Sequence, residues 1–306
     1  MRAQLRALAI IIMAVLLLTS VVFATNVDLL ILHTNDIHGR IEIGDGMLGM
    51  PYLRALVEYY REQYENVIVM DAGDTIHGRP ITDRLEGESA VISMNLVGYD
   101  FMVPGNHDFN YGYDRLLELE EMMEFHLVAA NVFKDGELLF DPYVVKEVGG
   151  FKIGVFGLAT SDTYTTTHPR NIIGIDFGDM IEAATKYVGI LRNDYNVDLV
   201  IALGHVGLNA SRNISTEVSG IDLFVDGHSH SLLMRGERVG DTLIVQANEY
   251  TKYLGKVKID LSGEKPVIEA TLISAEEGKE RVQPDEELND MMKEFRDEIM
   301  RIILGN

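Results

Sequence analysis

Five short apolar runs, at 27–32, 67–70, 99–103, 198–203 and 221–225, punctuate the chain, and each closes on a polar turn. Their Val, Ile, Leu and Phe content, without strict alternation, suits strands buried on both faces. Between them, residues 52–64, 89–97, 113–125 and 180–195 place apolar side chains at helical spacing. Strands alternating with helices predict a layered α/β architecture. After Leu232 the pattern shortens to β-like runs at 242–246, 253–260 and 267–273, with turns at Gly240-Asp241 and Ser262-Gly263. This predicts an antiparallel end to the sheet system. Pro284 then opens a last helix, in which Leu288, Met292, Phe295, Ile299 and Ile303 form one stripe before Gly305 stops it. Such a stripe predicts packing on the domain.

The first 24 residues stand apart. Arg2 and Arg6 precede an apolar run from Ala7 to Ala24, and Val22-Phe23-Ala24 offers a cleavage site, so residues 1–24 read as a secretory signal peptide. The competing reading is a retained anchor, because the run is close to the roughly 18-residue lower limit of a membrane span. Either way the rest of the chain is expected outside the cytoplasm, periplasmic or extracellular, with no stable membrane insertion once the signal is cleaved. Residues 25–275 are expected to form one large domain and 276–306 a C-terminal amphipathic helix. The absence of cysteine excludes disulfides, thiolate ligands and a Cys nucleophile. A formal net charge of −22 repels a nucleic-acid polymer. It does not argue against a small phosphate ester, because cations bound at a site supply their own local field.

The five runs end on Asp36-Ile37-His38, Gly73-Asp74, Gly105-Asn106-His107-Asp108, Gly204-His205 and Gly227-His228-Ser229-His230. In an open α/β sheet, functional groups gather beyond the carboxyl ends of the strands, so these turns can converge. Together they offer the inventory of a dinuclear hydrolytic site. Asp36 and His38 can face one cation, joined by His230; Asn106, His205 and His228 can complete the other; Asp74 can stand between the two. Nitrogen and oxygen donors without sulfur suit Mn²⁺, Zn²⁺, Co²⁺ or Fe, and suit Ca²⁺ poorly.

The strings LHTNDIHGR, DAGDTIHG, GNHDFNYG, AANV, TTHPRNIIG, GHVG and DGHSH, in this order, resemble the calcineurin-like metallophosphoesterases. The resemblance is to their secreted 5′-nucleotidase and 2′,3′-cyclic phosphodiesterase branch, over residues 27–273. It implies a four-layer α/β/β/α sandwich, two metals at the strand ends held by the residues above, and His107 as the catalytic acid. It further implies an exported dinuclear phosphoesterase acting on small phosphate monoesters, nucleoside 5′-monophosphates foremost, by in-line attack of a metal-bridging hydroxide. The alternatives are a related hydrolase of nucleotide sugars, cyclic nucleotides or a sulfur ester, and a metal-binding protein with little turnover. Longer relatives carry a base-binding C-terminal domain that this sequence does not include.

Several positions call for separate treatment. Asn106, His107 and Arg40 are candidate substrate contacts, as is Arg79, although the two arginines suit solvated salt bridges equally well. At position 110 the family pattern has Asp as the partner of the catalytic His, and here it is Asn110, which can orient an imidazole but adds no charge. Asp108 is the nearest carboxylate, yet an adjacent side chain need not point the same way. His33 either supports the ligand turn from behind or is simply buried. His77, His126 and His168 fall outside the family's ligand positions and are expected on the surface or in loops.

Overall fold

The computed structural model describes residues 28–305, so the segment expected to be a signal peptide lies outside the described residues. Strands β1 (Leu29–Thr34), β2 (Val67–Asp71), β3 (Phe101–Met102) and β4 (His126–Leu127) pair in parallel in that order. Next come β5 (Val132–Lys134) and β6 (Glu137–Leu138), the antiparallel hairpin β7 (Tyr143–Val148) and β8 (Phe151–Ala159), and β9 (Ile175–Phe177), which joins β5 and β6 in a small sheet. The chain continues through β10 (Leu199–His205), β11 (Leu223–Asp226), β12 (Glu237–Val239) and β13 (Thr242–Val245). These complete a second sheet of order β12-β13-β11-β10-β8-β7, whose inner neighbours are parallel. Finally β14 (Tyr253–Asp260) and β15 (Val267–Ser274) return antiparallel to the first sheet, giving the order β15-β14-β1-β2-β3-β4.

Three apolar interlayers define the stacking. Leu29, Ile31, Ile68, Met70 and Phe101 of the first sheet pack against Ile153, Val155, Leu199, Ile201 and Val225 of the second. On its other face the first sheet presents Leu30, Leu32, Val69 and Met102 to the helices Gly49–Arg61, Glu88–Val97 and Glu286–Leu304. The second sheet presents Phe156, Leu158, Val200 and Phe224 to the helices Met180–Gly189 and Leu208–Glu217. Three interlayers make four layers, α/β/β/α. Both faces of each central strand are buried, which is why those strands read as unbroken apolar runs.

The structure departs from the sequence reading in the second half. The β7–β8 hairpin was not anticipated, although its FKIGVFGLA segment is as apolar as the other strands. The run at 242–246 does not begin an antiparallel end: β13 pairs in parallel with β11, and β12 occupies its outer edge. The tail therefore divides between the two sheets. Helix 180–195 ends at Gly189 and winds on through a π turn, Ile190–Asp194. A separate helix, Ala275–Arg281, precedes the last one, which starts at Glu286 rather than Pro284 because Asp285 caps it by accepting from Leu288 N.

Candidate functional site

Where β1 and β2 end, their turns run side by side. Asp36 N donates to Gly73 O at 2.9 Å, His38 N to Asp74 O at 2.8 Å and Gly39 N to Thr75 O at 2.9 Å. Asp36, His38, Asp74, His228 and His230 have φ of 51°, 48°, 58°, 72° and 50°. Non-glycine residues seldom adopt this left-handed region, and its concentration here marks turns shaped for what they hold. Gly105 is required by close approach, since a Cβ there would lie 2.3 Å from Asp74 Oδ1. Asp108 turns away from His107. Its carboxylate accepts from the N–H groups of Asp74, Thr75, Ile76 and Gly105 at 2.8–3.0 Å, which ties the Asp74 turn to the Asn106 turn.

The seven expected ligand residues come together. Asp36, His38 and His230 form one group, and Asp74, His205 and His228 form another. Asp74 Oδ2 stands 3.7 Å from His38 Nε2 and 3.2 Å from His205 Nε2, while its Oδ1 accepts from His107 N at 2.7 Å. Asn106 Oδ1 lies 3.2 Å from His205 Nε2 and 2.9 Å from His228 Nδ1. Three of the candidate ligand rings are held from behind. His205 Nδ1 donates to Ala72 O at 2.6 Å, His228 Nε2 meets Asp162 Oδ2 at 3.0 Å, and His230 Nδ1 meets Glu249 Oε2 at 2.6 Å.

This donor set fits divalent cations. Asp36 and Asp74 are buried, and among the described residues neither pairs with a Lys or Arg. Two buried carboxylates facing imidazole nitrogens are costly unless cations lie between them. Burial pulls His38 down to about 4, leaving the neutral ring that a ligand requires. His205 is fully buried, which opposes its charge, yet the adjacent Asp74 carboxylate pushes it up to about 10. A cation arriving there has a proton to displace.

His107 stacks on His77, with ring centroids 5.9 Å apart and planes 6° from parallel. The Asn110 amide lies within hydrogen-bonding distance of both rings, 2.9 Å from His107 Nδ1 and 3.1 Å from His77 Nδ1. Thr167 and Asn171 brace this arrangement by donating to Asn106 O and Asn110 O, each at 2.6 Å. His77 is in a loop and partly exposed, as expected, and the turn after Asp74 folds it against His107. His126 is exposed in β4, and His168 accepts from Arg170 N to cap a short turn, as expected of loop and surface residues. His33 is fully buried in β1, with no partner for either ring nitrogen among the described residues, and burial holds it at about 3. Arg40 donates to His38 O at 3.1 Å, and its guanidinium lies 3.3 Å over the Tyr250 ring. Arg79 is exposed beside it.

Sequence reasoning missed Asp162, Glu249 and Tyr250. Glu249 and Tyr250 follow β13, whose parallel pairing with β11 brings its carboxyl end to the site. The signal was present: an apolar run closing on a polar turn.

Residues 29–232 match the calcineurin-like phosphoesterase family. The chain is 32% identical to the 5′-nucleotidase of Vibrio cholerae over 282 residues, covering 80% of this chain and 51% of that protein. It is 31% identical to the trifunctional nucleotide phosphoesterase protein YfkN of Bacillus subtilis, over 88% of this chain and 21% of that one. A crystal structure of calcineurin-like phosphoesterase YfkN from Bacillus subtilis superposes with a TM-score of 0.77 at 25% identity, covering 90% of this chain and 98% of that one. The chain thus spans about half the length of the first of these relatives and about a fifth of the second.

Proposed function

This chain belongs to the calcineurin-like phosphoesterases, in their 5′-nucleotidase branch, and on that premise we propose that it is an exported hydrolase of small phosphate monoesters. Nucleoside 5′-monophosphates are its foremost substrates, residues 25–275 its catalytic domain and residues 276–306 its C-terminal helical segment. The observation that carries this reading is Asp74, whose one carboxylate faces His38 of one donor group and His205 of the other. Asp36, His38, His230 and Asp74 would hold one divalent cation, and Asp74, Asn106, His205 and His228 the second. When bound, the two cations neutralise phosphoryl charge and make water acidic enough to attack near neutral pH.

The remaining work falls to side chains. Asn110 engages His107 at Nδ1, which leaves Nε2 as the atom able to donate a proton. Hydrolysis joins a water oxygen to phosphorus and breaks the ester P–O bond. Acting as an imidazolium, His107 gives its Nε2 proton to the departing oxygen, and the proton released by the water restores it. Asn106 and His107 contact the phosphoryl group, and Arg40, without a carboxylate partner among the described residues, offers a cationic contact to the rest of the substrate.

A hydrolysis panel on the Mn²⁺-loaded protein tests the reading, using nucleoside 5′-monophosphates, a nucleotide sugar, a cyclic nucleotide, a sulfur ester and nitrophenyl phosphate. Highest kcat/KM on a nucleoside monophosphate is expected. A preference for one of the other esters replaces the substrate assignment, and no turnover on any member removes the enzymatic one.

A further inference from the structure

His230 enters its donor group on one loop, and a second loop holds it from behind. Its Nδ1 lies 2.6 Å from Glu249 Oε2, and its Nε2 lies 3.2 Å from Asp36 Oδ1. An ionised carboxylate has no proton to give, so Nδ1–H donates to Glu249, and Nε2 is the ring atom left to face Asp36, His38 and any cation between them. The second oxygen of Glu249 meets Lys252 Nζ at 2.7 Å, which fixes the rotation of the carboxylate. The loop carrying Glu249 holds an uncommon shape: Asn248, Tyr250 and Thr251 have φ of 62°, 61° and 57°. Four bonds keep it so. Asn35 Nδ2 donates to Asn248 O at 2.6 Å, Tyr250 N to Asp36 O at 2.8 Å, Asn248 Nδ2 to His230 O at 3.0 Å and Gly49 N to Thr251 Oγ1 at 3.0 Å. Two of these bonds end on candidate ligand residues, so the loop and the donor group are built as one unit.

We propose that Glu249, oriented by Lys252, is the positioning residue of His230 and sets cation affinity at the Asp36, His38 and His230 group separately from the other group. The inference rests on the two-cation reading. A ring locked in one tautomer and orientation need not be ordered when the cation arrives, and a carboxylate behind it raises the basicity of its free nitrogen. The other group draws on different supports, the Ala72 carbonyl for His205 and Asp162 for His228, so a change at Glu249 spares it.

Calorimetric titration of the metal-free chain with Mn²⁺ is expected to resolve two binding steps. Glu249→Ala should weaken one of them by roughly 10–100-fold, the usual effect of removing such a support, and leave the other in place. Glu249→Gln keeps an acceptor for Nδ1–H without the charge, and should fall between. Nitrogen NMR of the imidazoles in the metal-free chain reads the same claim without a cation. In spectra of the neutral ring, His230 should be the Nδ1–H tautomer in wild type and in the Gln variant, and a mixture in the Ala variant. Equal weakening of both steps, or two unchanged steps with an unchanged His230 spectrum, overturns the proposal alone. A wild-type chain that takes up no Mn²⁺ overturns the two-cation reading and the affinity claim together.

Discussion

Asp108 holds the candidate site through the backbone: four N–H groups of its two turns, that of Asp74 among them, end on the Asp108 carboxylate. Asp108→Asn would set an amide NH₂ against two of those donors, leaving buried N–H groups unpaired at about 1–3 kcal/mol each. Thermal denaturation should show a loss of about 2–5 kcal/mol, with weakened cation uptake; an unchanged Tm would mean the turns hold themselves. His107→Ala should behave oppositely, keeping both cations while kcat falls by roughly 10²–10⁴, as for a lost general acid. Metal analysis alongside kcat separates the two cases. Asp71 supplies a test of pH. Burial pushes it up to about 7, above the ordinary carboxylate value of 3.8, despite hydroxyl bonds from Thr34 and Thr75. A raised folded pKa stabilises fully below the unfolded value and ceases to do so as pH rises through about 7. Asp71→Asn keeps the uncharged shape at every pH, its NH₂ able to donate to Thr34. Its Tm relative to wild type should therefore climb between about pH 4 and 7, and a difference that stays flat with pH would refute the assignment. At this scale the residues that cluster at the candidate site were legible in the sequence, because turns after apolar runs name their own residues. Their supports were not: Asp162 lies 66 positions from His228, and such a pair has no local signature.

At the scale of elements, hydrophobic spacing predicted the existence of most strands and helices but not where packing ends. The last helix shows the difference. Leu288, Met292, Phe295 and Ile299 enter the core with the helix Gly49–Arg61, whereas Ile303, on the same stripe, is 57% exposed. Leu288→Ala should cost about 2–5 kcal/mol in denaturant unfolding, the range for a buried large-to-small change. Ile303→Ala should fall within about 0.5 kcal/mol of wild type. A stripe read from sequence gives both residues equal weight; only the neighbours separate them. Strand pairing was hidden for a related reason. The run that became β13 carries the same apolar composition whether its partner is parallel or antiparallel, so direction was decided by β11 and β12 beside it.

For the whole molecule, the site joins the two sheets. Asp36, Asp74 and Asn106 follow strands of the first sheet, while His205, His228 and His230 end or follow strands of the second. Cations held between them would bind the native arrangement and not the unfolded chain, so chelation should lower Tm, and excess Mn²⁺ should restore it in proportion to the logarithm of its concentration. A Tm indifferent to chelator would deny the cations a structural role. The sequence by itself determined the α/β class and the family and marked the turn residues that the fold brings together, because apolar period and turn motifs are local properties written in consecutive residues. Tertiary structure alone decided that β13 joins the parallel core, that His77 stacks on His107, and that Glu249 and Asp162 stand behind the ligand rings. Those contacts link residues far apart in the chain, and which distant groups meet depends on how two sheets pack face to face, a property of the folded whole that no single segment encodes.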